Sequence, residues 1–182
     1  MRPTIIDLFN ITVDKFAANP FLWEKNDKEF VPTNYLETKQ QVHVLAAGLL
    51  KLGVNRGDKI ALLSEGRNAW IIGELSILHA GAISVPLSIK LEESNDLIFR
   101  LVHSEASIIM VSGGQLKKIR TIADAIKGIK KIIIFDEQDE YAGNEMSMIE
   151  LMKLGNEFLN MHPNAVIGRS KQVKPDDVAT IS

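Results

Sequence analysis

The chain has 182 residues, 46% hydrophobic and 24% charged, with 21 Lys plus Arg against 23 Asp plus Glu for a net charge of −2. That is enough chain for one domain with a proper core, and the composition excludes disorder. The charge balance offers no broad pull on nucleic acid or anionic lipid, and the absence of cysteine excludes disulfides, thiolate metal sites and a cysteine nucleophile.

The opening apolar run is broken by Asp7 and Asn10, unlike a signal peptide. No later run approaches the ~18 apolar residues that span a bilayer. The expected location is therefore the cytoplasm.

Thr4 with Asp7 reads as a helix-capping pair, and Ile5, Leu8, Phe9, Val13, Phe16 and Ala17 follow at helical spacing until Pro20. Phe21–Glu24 and Lys28–Val31 flank Asn26-Asp27, which predicts a small hairpin. A second helix opens at Asn34 with Glu37 three residues on. Its stripe is Val42, Leu45, Ala46, Leu49 and Leu50, and Gly53 supplies a left-handed end.

The pattern then changes. Lys59–Ser64, Ala82–Pro86, Ala106–Ser112, Lys131–Phe135 and Val178–Ser182 are short apolar runs without polar alternation, as in strands buried on both faces. Helical patterns lie between the first four, at Asn68–Ala80, Ser94–His103 and Gln115–Lys127. Strand alternating with helix predicts an α/β fold, a mostly parallel doubly wound sheet flanked by helices. The third helix is apolar over much of its circumference, and Gly73 within it suggests close approach of another backbone.

Asp136 to Glu145 reads as an exposed acidic loop, and Ser147 with Glu150 caps a further helix carrying Met148, Leu151, Met152 and Phe158. The expected organisation is one unit over 1–182: a main body at 33–161, a surface connection at 162–177 and a last strand at 178–182. Ligands of open α/β sheets sit beyond the carboxyl ends of the strands. A loop carrying chemistry is therefore expected after Ser182.

Few residues invite a chemical role. His43, His79, His103 and His162 are scattered, with no metal-ligand spacing among them. Ser64-Glu65, Ser104-Glu105 and Asp176-Asp177 read more simply as polar residues closing element ends than as acid–base pairs. Ser112-Gly113-Gly114 could offer amides to a phosphate, but it lacks the glycine spacing of a dinucleotide loop and the lysine of a P-loop. It is read as a tight turn. Lys117-Lys118 and Lys130-Lys131 read as solvated faces.

Val54-Asn-Arg-Gly-Asp-Lys-Ile-Ala-Leu-Leu-Ser-Glu-Gly-Arg-Asn-Ala-Trp70, followed by Ile77-Leu-His-Ala-Gly-Ala-Ile-Ser-Val-Pro86, resembles the adenylate-forming (AMP-binding) superfamily, with the nearest likeness to long-chain fatty-acid–CoA ligases. The likeness extends through Tyr35–Gly53, Asn95–Val111 and the helix after Ser147. Gly66, Asn68-Ala69 and Ser88-Ile89-Lys90 depart from the long-chain type and leave aryl or medium-chain acids open.

The resemblance implies an enzyme that joins a fatty acid or other carboxylate to CoA through an acyl-adenylate, using ATP and Mg²⁺. The family's Ser/Thr/Gly-rich phosphate loop follows a strand like 178–182. No catalytic, cofactor-binding or metal-binding residue of the family therefore falls on any position here, and no cofactor is expected for this length of chain alone. A stand-alone interaction module is the alternative; a flavodoxin- or Rossmann-like nucleotide domain is disfavoured by the glycine pattern. No nucleic acid is expected as a partner, self-association through bare apolar surface is, and membrane-peripheral placement stays open for the intact enzyme.

Overall fold

The computed structural model describes residues 2–182. Helix α1 (Ile5–Phe16) is held at its start by a reciprocal cap in which Thr4 and Asp7 each bind the other's backbone N–H. It buries Ile6, Phe9 and Val13. Strands β1 (Pro20–Asn26) and β2 (Glu29–Asn34) form the antiparallel hairpin, turning through Asp27 at φ 53°. Asn34 and Glu37 repeat the reciprocal cap on α2 (Tyr35–Lys51), and Gly53, at φ 87°, ends it as the sequence predicts.

The main sheet has β3 (Lys59–Leu63), β4 (Ile83–Leu87), β5 (Ile108–Val111), β6 (Lys131–Ile134) and β7 (Glu145–Ser147), all pairing parallel in the order β4-β3-β5-β6-β7. Alternate side chains along each strand feed two separate cores. Ile60, Leu62, Ile108, Met110 and Ile133 pack under α2, α3 (Asn68–His79) and α6 (Met148–Met161). Ala61, Leu63, Ile109, Val111, Ile132 and Ile134 pack under α4 (Ser94–His103) and α5 (Gly113–Thr121). Helices on both faces of a parallel sheet make the doubly wound architecture that the apolar runs predict.

Five sequence expectations about the fold change. Gly113-Gly114 is no tight turn: both residues open α5, and neither has a positive φ. Gly73 faces the ends of the Phe135, Met110 and Leu62 side chains rather than another backbone. Glu145, expected in an exposed loop, is buried and starts β7, because Arg120 and the Ala142 N–H reach its carboxylate. The surface connection at 162–177 contains α7 (Ala165–Ser170), whose Val166 is fully buried in the first core.

Residues 178–182 are not a strand buried on both faces. They form a single parallel bridge, Ser84 with Thr180, on the outer edge of β4, with Val178 56% exposed. Only one flank of that segment meets a strand, so the bonds at Ser84 (its N–H to Ala179 O, its O from Ile181 N–H, 2.9 Å each) account for the pairing. Among the described residues no helix is long and apolar enough to cross a membrane.

Candidate functional site

In the strand order β4-β3-β5-β6-β7 the chain leaves β3 to one side and returns to the other, so β3 and β5 bracket a topological switch point. Open α/β sheets bind ligands in the crevice outside the carboxyl ends at such a point. The segments that emerge there are Ser64–Arg67 after β3 and Ser112–Gln115 after β5, with Asp136 two residues beyond β6.

These residues form one polar network. Arg67 Nη1 donates to both carboxylate oxygens of Asp136 at 2.7 and 2.9 Å, and Asp136 Oδ2 also accepts the Gly113 N–H at 2.7 Å. Gln115 Nε2 donates to Glu65 Oε1 at 2.5 Å. The Gln115 amide and the nearby Arg67 charge hold the Glu65 carboxyl below its usual range. On its other side the Arg67 guanidinium approaches Glu24 of the hairpin at 3.6 Å. Arg67 therefore ties hairpin, β3 loop and β6 loop together.

The consequence for ligand chemistry is direct. A helix N-terminus attracts anions because its first amides are unpaired and its dipole is positive there. At α5 Asp136 already takes the Gly113 amide, and the Glu65 carboxylate lies beside Gly114, bound to the side-chain amide of Gln115. A phosphate at Ser112-Gly113-Gly114 would have to displace Asp136 from the Gly113 amide and sit beside the Glu65 charge.

The other candidates close local structure. Glu105, at φ 56°, pairs with Lys59 at 2.8 Å, and the Ser104 hydroxyl donates to Leu101 O. Asp177 accepts from Arg56 and from the Lys174 N–H. Lys118 is not a solvated lysine: its Nζ donates to Ile89 O at 2.6 Å and Leu91 O at 3.2 Å, holding the loop that follows β4.

Of the histidines, His79 is buried, with Nδ1 2.7 Å from Leu75 O and its ring edge-on to Phe9. Burial pushes it down to about 4. His43 is also lowered, first by burial and then by Lys39. His103 stacks on Phe99, and His162 packs at a tilt against Phe158. None reaches the carboxyl edge, and among the described residues no group of three or more His, Asp or Glu could hold a metal ion.

Two clefts open at the opposite, amino-terminal end of the sheet. One of about 560 Å³ lies between α1, the start of β4 and residues 173–179, walled by Ile6, Leu78, Ile83 and Val178. Another of about 490 Å³ lies beneath Gly53–Lys59, Ser107 and Lys130. Neither is lined by a histidine. The carboxyl edge is where open α/β sheets bind ligands; the sequence shows Glu65 and Ser112–Gly114 as separate candidates, and only the pairing order brings Glu65, Gln115 and Asp136 together.

The description "AMP-binding enzyme" belongs to the family model that matches residues 12–182. A long-chain-fatty-acid–CoA ligase ACSBG2 of Xenopus laevis is 27% identical over 170 residues, covering 92% of this chain and 23% of that protein. A crystal structure of a long-chain-fatty-acid-CoA ligase (FadD1) from Archaeoglobus fulgidus superposes with a TM-score of 0.74 at 18% identity, over 85% of this chain and 30% of the other. The anthranilate CoA ligase AuaEII in complex with anthranoyl-AMP gives 0.71 at 18% identity, over 81% and 26%. The chain spans about a quarter of the length of the curated relatives it matches.

Proposed function

The chain belongs to the AMP-binding enzyme family, and from that premise we propose that it is the N-terminal part of an ATP-dependent acyl-CoA ligase. The proposed reaction joins a fatty acid to CoA through an acyl-adenylate, releasing AMP and pyrophosphate. The observation that carries this reading is the family match, which runs through both cores and the whole parallel sheet. Relatives named as long-chain-fatty-acid ligases support the acyl class, and the anthranilate ligase among the similar structures makes aryl acids the runner-up. The match speaks against a stand-alone binding module.

ATP, Mg²⁺ and CoA are the cofactors this proposal brings. The described residues do not fit a triphosphate, since the one glycine-led helix start at the switch point has its Gly113 amide on Asp136 and the Glu65 carboxylate beside it. The role proposed for this chain is therefore scaffolding. It builds the β3/β5 carboxyl edge, and it leads residues 178–182 along β4 in the parallel sense, toward that same edge. A cytoplasmic location belongs to the same proposal, because ATP and CoA are supplied there.

ATP–pyrophosphate exchange with palmitate tests the reading at two lengths. This chain is expected to stay at background, and the product of the full open reading frame that contains it is expected to exchange. Exchange by the chain alone overturns the scaffold role. No exchange by the longer product with palmitate, a medium-chain acid or an aryl acid overturns the ligase assignment.

A further inference from the structure

Backbone alternation sorts the β1–β2 hairpin into two chemically distinct faces. Trp23 lies opposite Pro32 and Lys25 opposite Phe30, which places these four on one face. Leu22, Glu24, Val31 and Thr33 take the other, where Leu22 is buried and Glu24 meets Arg67. The outward face thus carries two aromatic rings, a proline and a lysine, and no carboxylate. Trp23 is 55% and Phe30 64% exposed. Lys28 stands in the adjoining turn between Asp27 and Glu29, and among the described residues neither Lys25 nor Lys28 forms an ion pair.

We propose that this hairpin face is an interfacial membrane contact, inserting Trp23 and Phe30 at the headgroup–acyl boundary of a phospholipid bilayer with Lys25 and Lys28 on the lipid phosphates. Aromatic rings with an apolar body favour that boundary, and lysine stems bury along it while the ammonium stays with the headgroups. The area argues against a protein partner. Two half-exposed aromatic rings and a proline offer on the order of 300 Å², against roughly 800 Å² per side for a stable protein interface. The net charge of −2, and Glu24, Asp27 and Glu29 in the same hairpin, give no long-range attraction, so contact depends on the aromatic rings and Lys25 sharing the outward face. The proposal does not rest on the ligase reading.

Co-sedimentation of the chain with phosphatidylcholine vesicles containing phosphatidylserine tests it. Trp23→Ser and Phe30→Ser, both at exposed positions that leave the cores untouched, are each expected to weaken vesicle binding about tenfold. Ile149→Ser, an exposed apolar control on α6, is expected to bind like the parent. Absence of vesicle binding by the parent, or equal loss in all three variants, overturns the proposal. So does a fall in solution mass in Trp23→Ser without a change in vesicle binding, which would make the face a contact with a second copy. In the product of the full open reading frame, Trp23 shielded from a soluble quencher without lipid would show the face covered by its own chain, and that result overturns the proposal too.

Discussion

The backbones of Gly48 and Gly155 lie in direct contact where α2 crosses α6: a Cβ built on Gly155 would come within 2.9 Å of the Gly48 nitrogen and would overlap the Val44 carbonyl. A Cβ on Gly48 would likewise overlap the Leu151 carbonyl. These obstacles are main chain, so no side-chain rotation relieves them. Gly→Ala in a free helix gains about 1 kcal/mol, whereas forcing a methyl into a packed interface costs roughly 1–3 kcal/mol and more when backbone must move. Crowding wins here. Gly155→Ala is expected to lose about 3 kcal/mol in urea unfolding, while Gly143→Ala, with open space around it, is expected to change stability by less than about 1 kcal/mol.

What the sequence made legible was local. Thr4–Asp7, Asn34–Glu37 and Ser147–Glu150 are caps closed within three residues, and each forms as read. Strands buried on both faces announce themselves by unbroken apolar runs, as Ile108–Val111 does. The misses are long-range. Gly113 starts a helix because Asp136 takes its amide, and β7 begins on a charged residue because Arg120 reaches Glu145. Val178–Ser182 has the composition of a central strand but an edge position, which only pairing can decide.

His79 makes stability depend on pH. Its folded value of about 4 lies below the ordinary 6.5, so the unfolded chain binds more protons between those values. Stability from this group is therefore complete above about pH 7 and falls as pH drops from 6.5 toward 4. The loss between pH 8 and pH 5 is about 2 kcal/mol. Lys39 and His43 on α2 also face the ring and add to the cost of charging it. Glu74, raised by burial, contributes in the opposite sense, so the comparison is with His79→Gln. That variant is expected to show a shallower fall in urea midpoint over the same range; parallel slopes would assign the dependence elsewhere.

Glu145 is a carboxylate whose side chain is 1% exposed, held by Arg120 Nε at 2.9 Å and Nη2 at 2.7 Å. Arg120 holds its carboxyl below the usual range, so this pair stabilises above that range and is lost as pH falls through the lowered value. Arg120→Ala leaves the carboxylate buried with the Ala142 N–H. Removing one partner of a fully buried pair costs roughly 3–5 kcal/mol, and the half-exposed guanidinium lowers the expectation to about 2 kcal/mol. Glu145→Gln in the Arg120→Ala background is expected to recover part of that loss at neutral pH, read by thermal unfolding.

Lys118 controls the loop after β4 without touching β4 itself. Its ammonium bridges the carbonyls of Ile89 and Leu91, while Leu91 N–H closes a turn on Ser88 O. Methionine keeps the length and apolar stem of the side chain and removes only the donor, so Lys118→Met isolates the charge-assisted bonds, worth about 1.5–3 kcal/mol when a charged donor is involved. The loop is local and partly solvated, so the loss is expected as local opening rather than global unfolding. Hydrogen exchange of residues 88–92 is expected to quicken at least tenfold while Ile60 and Ile109, at the sheet centre, keep their protection. Because this loop borders the carboxyl edge, the same variant tells whether that edge is held rigid by the lysine or by the sheet alone.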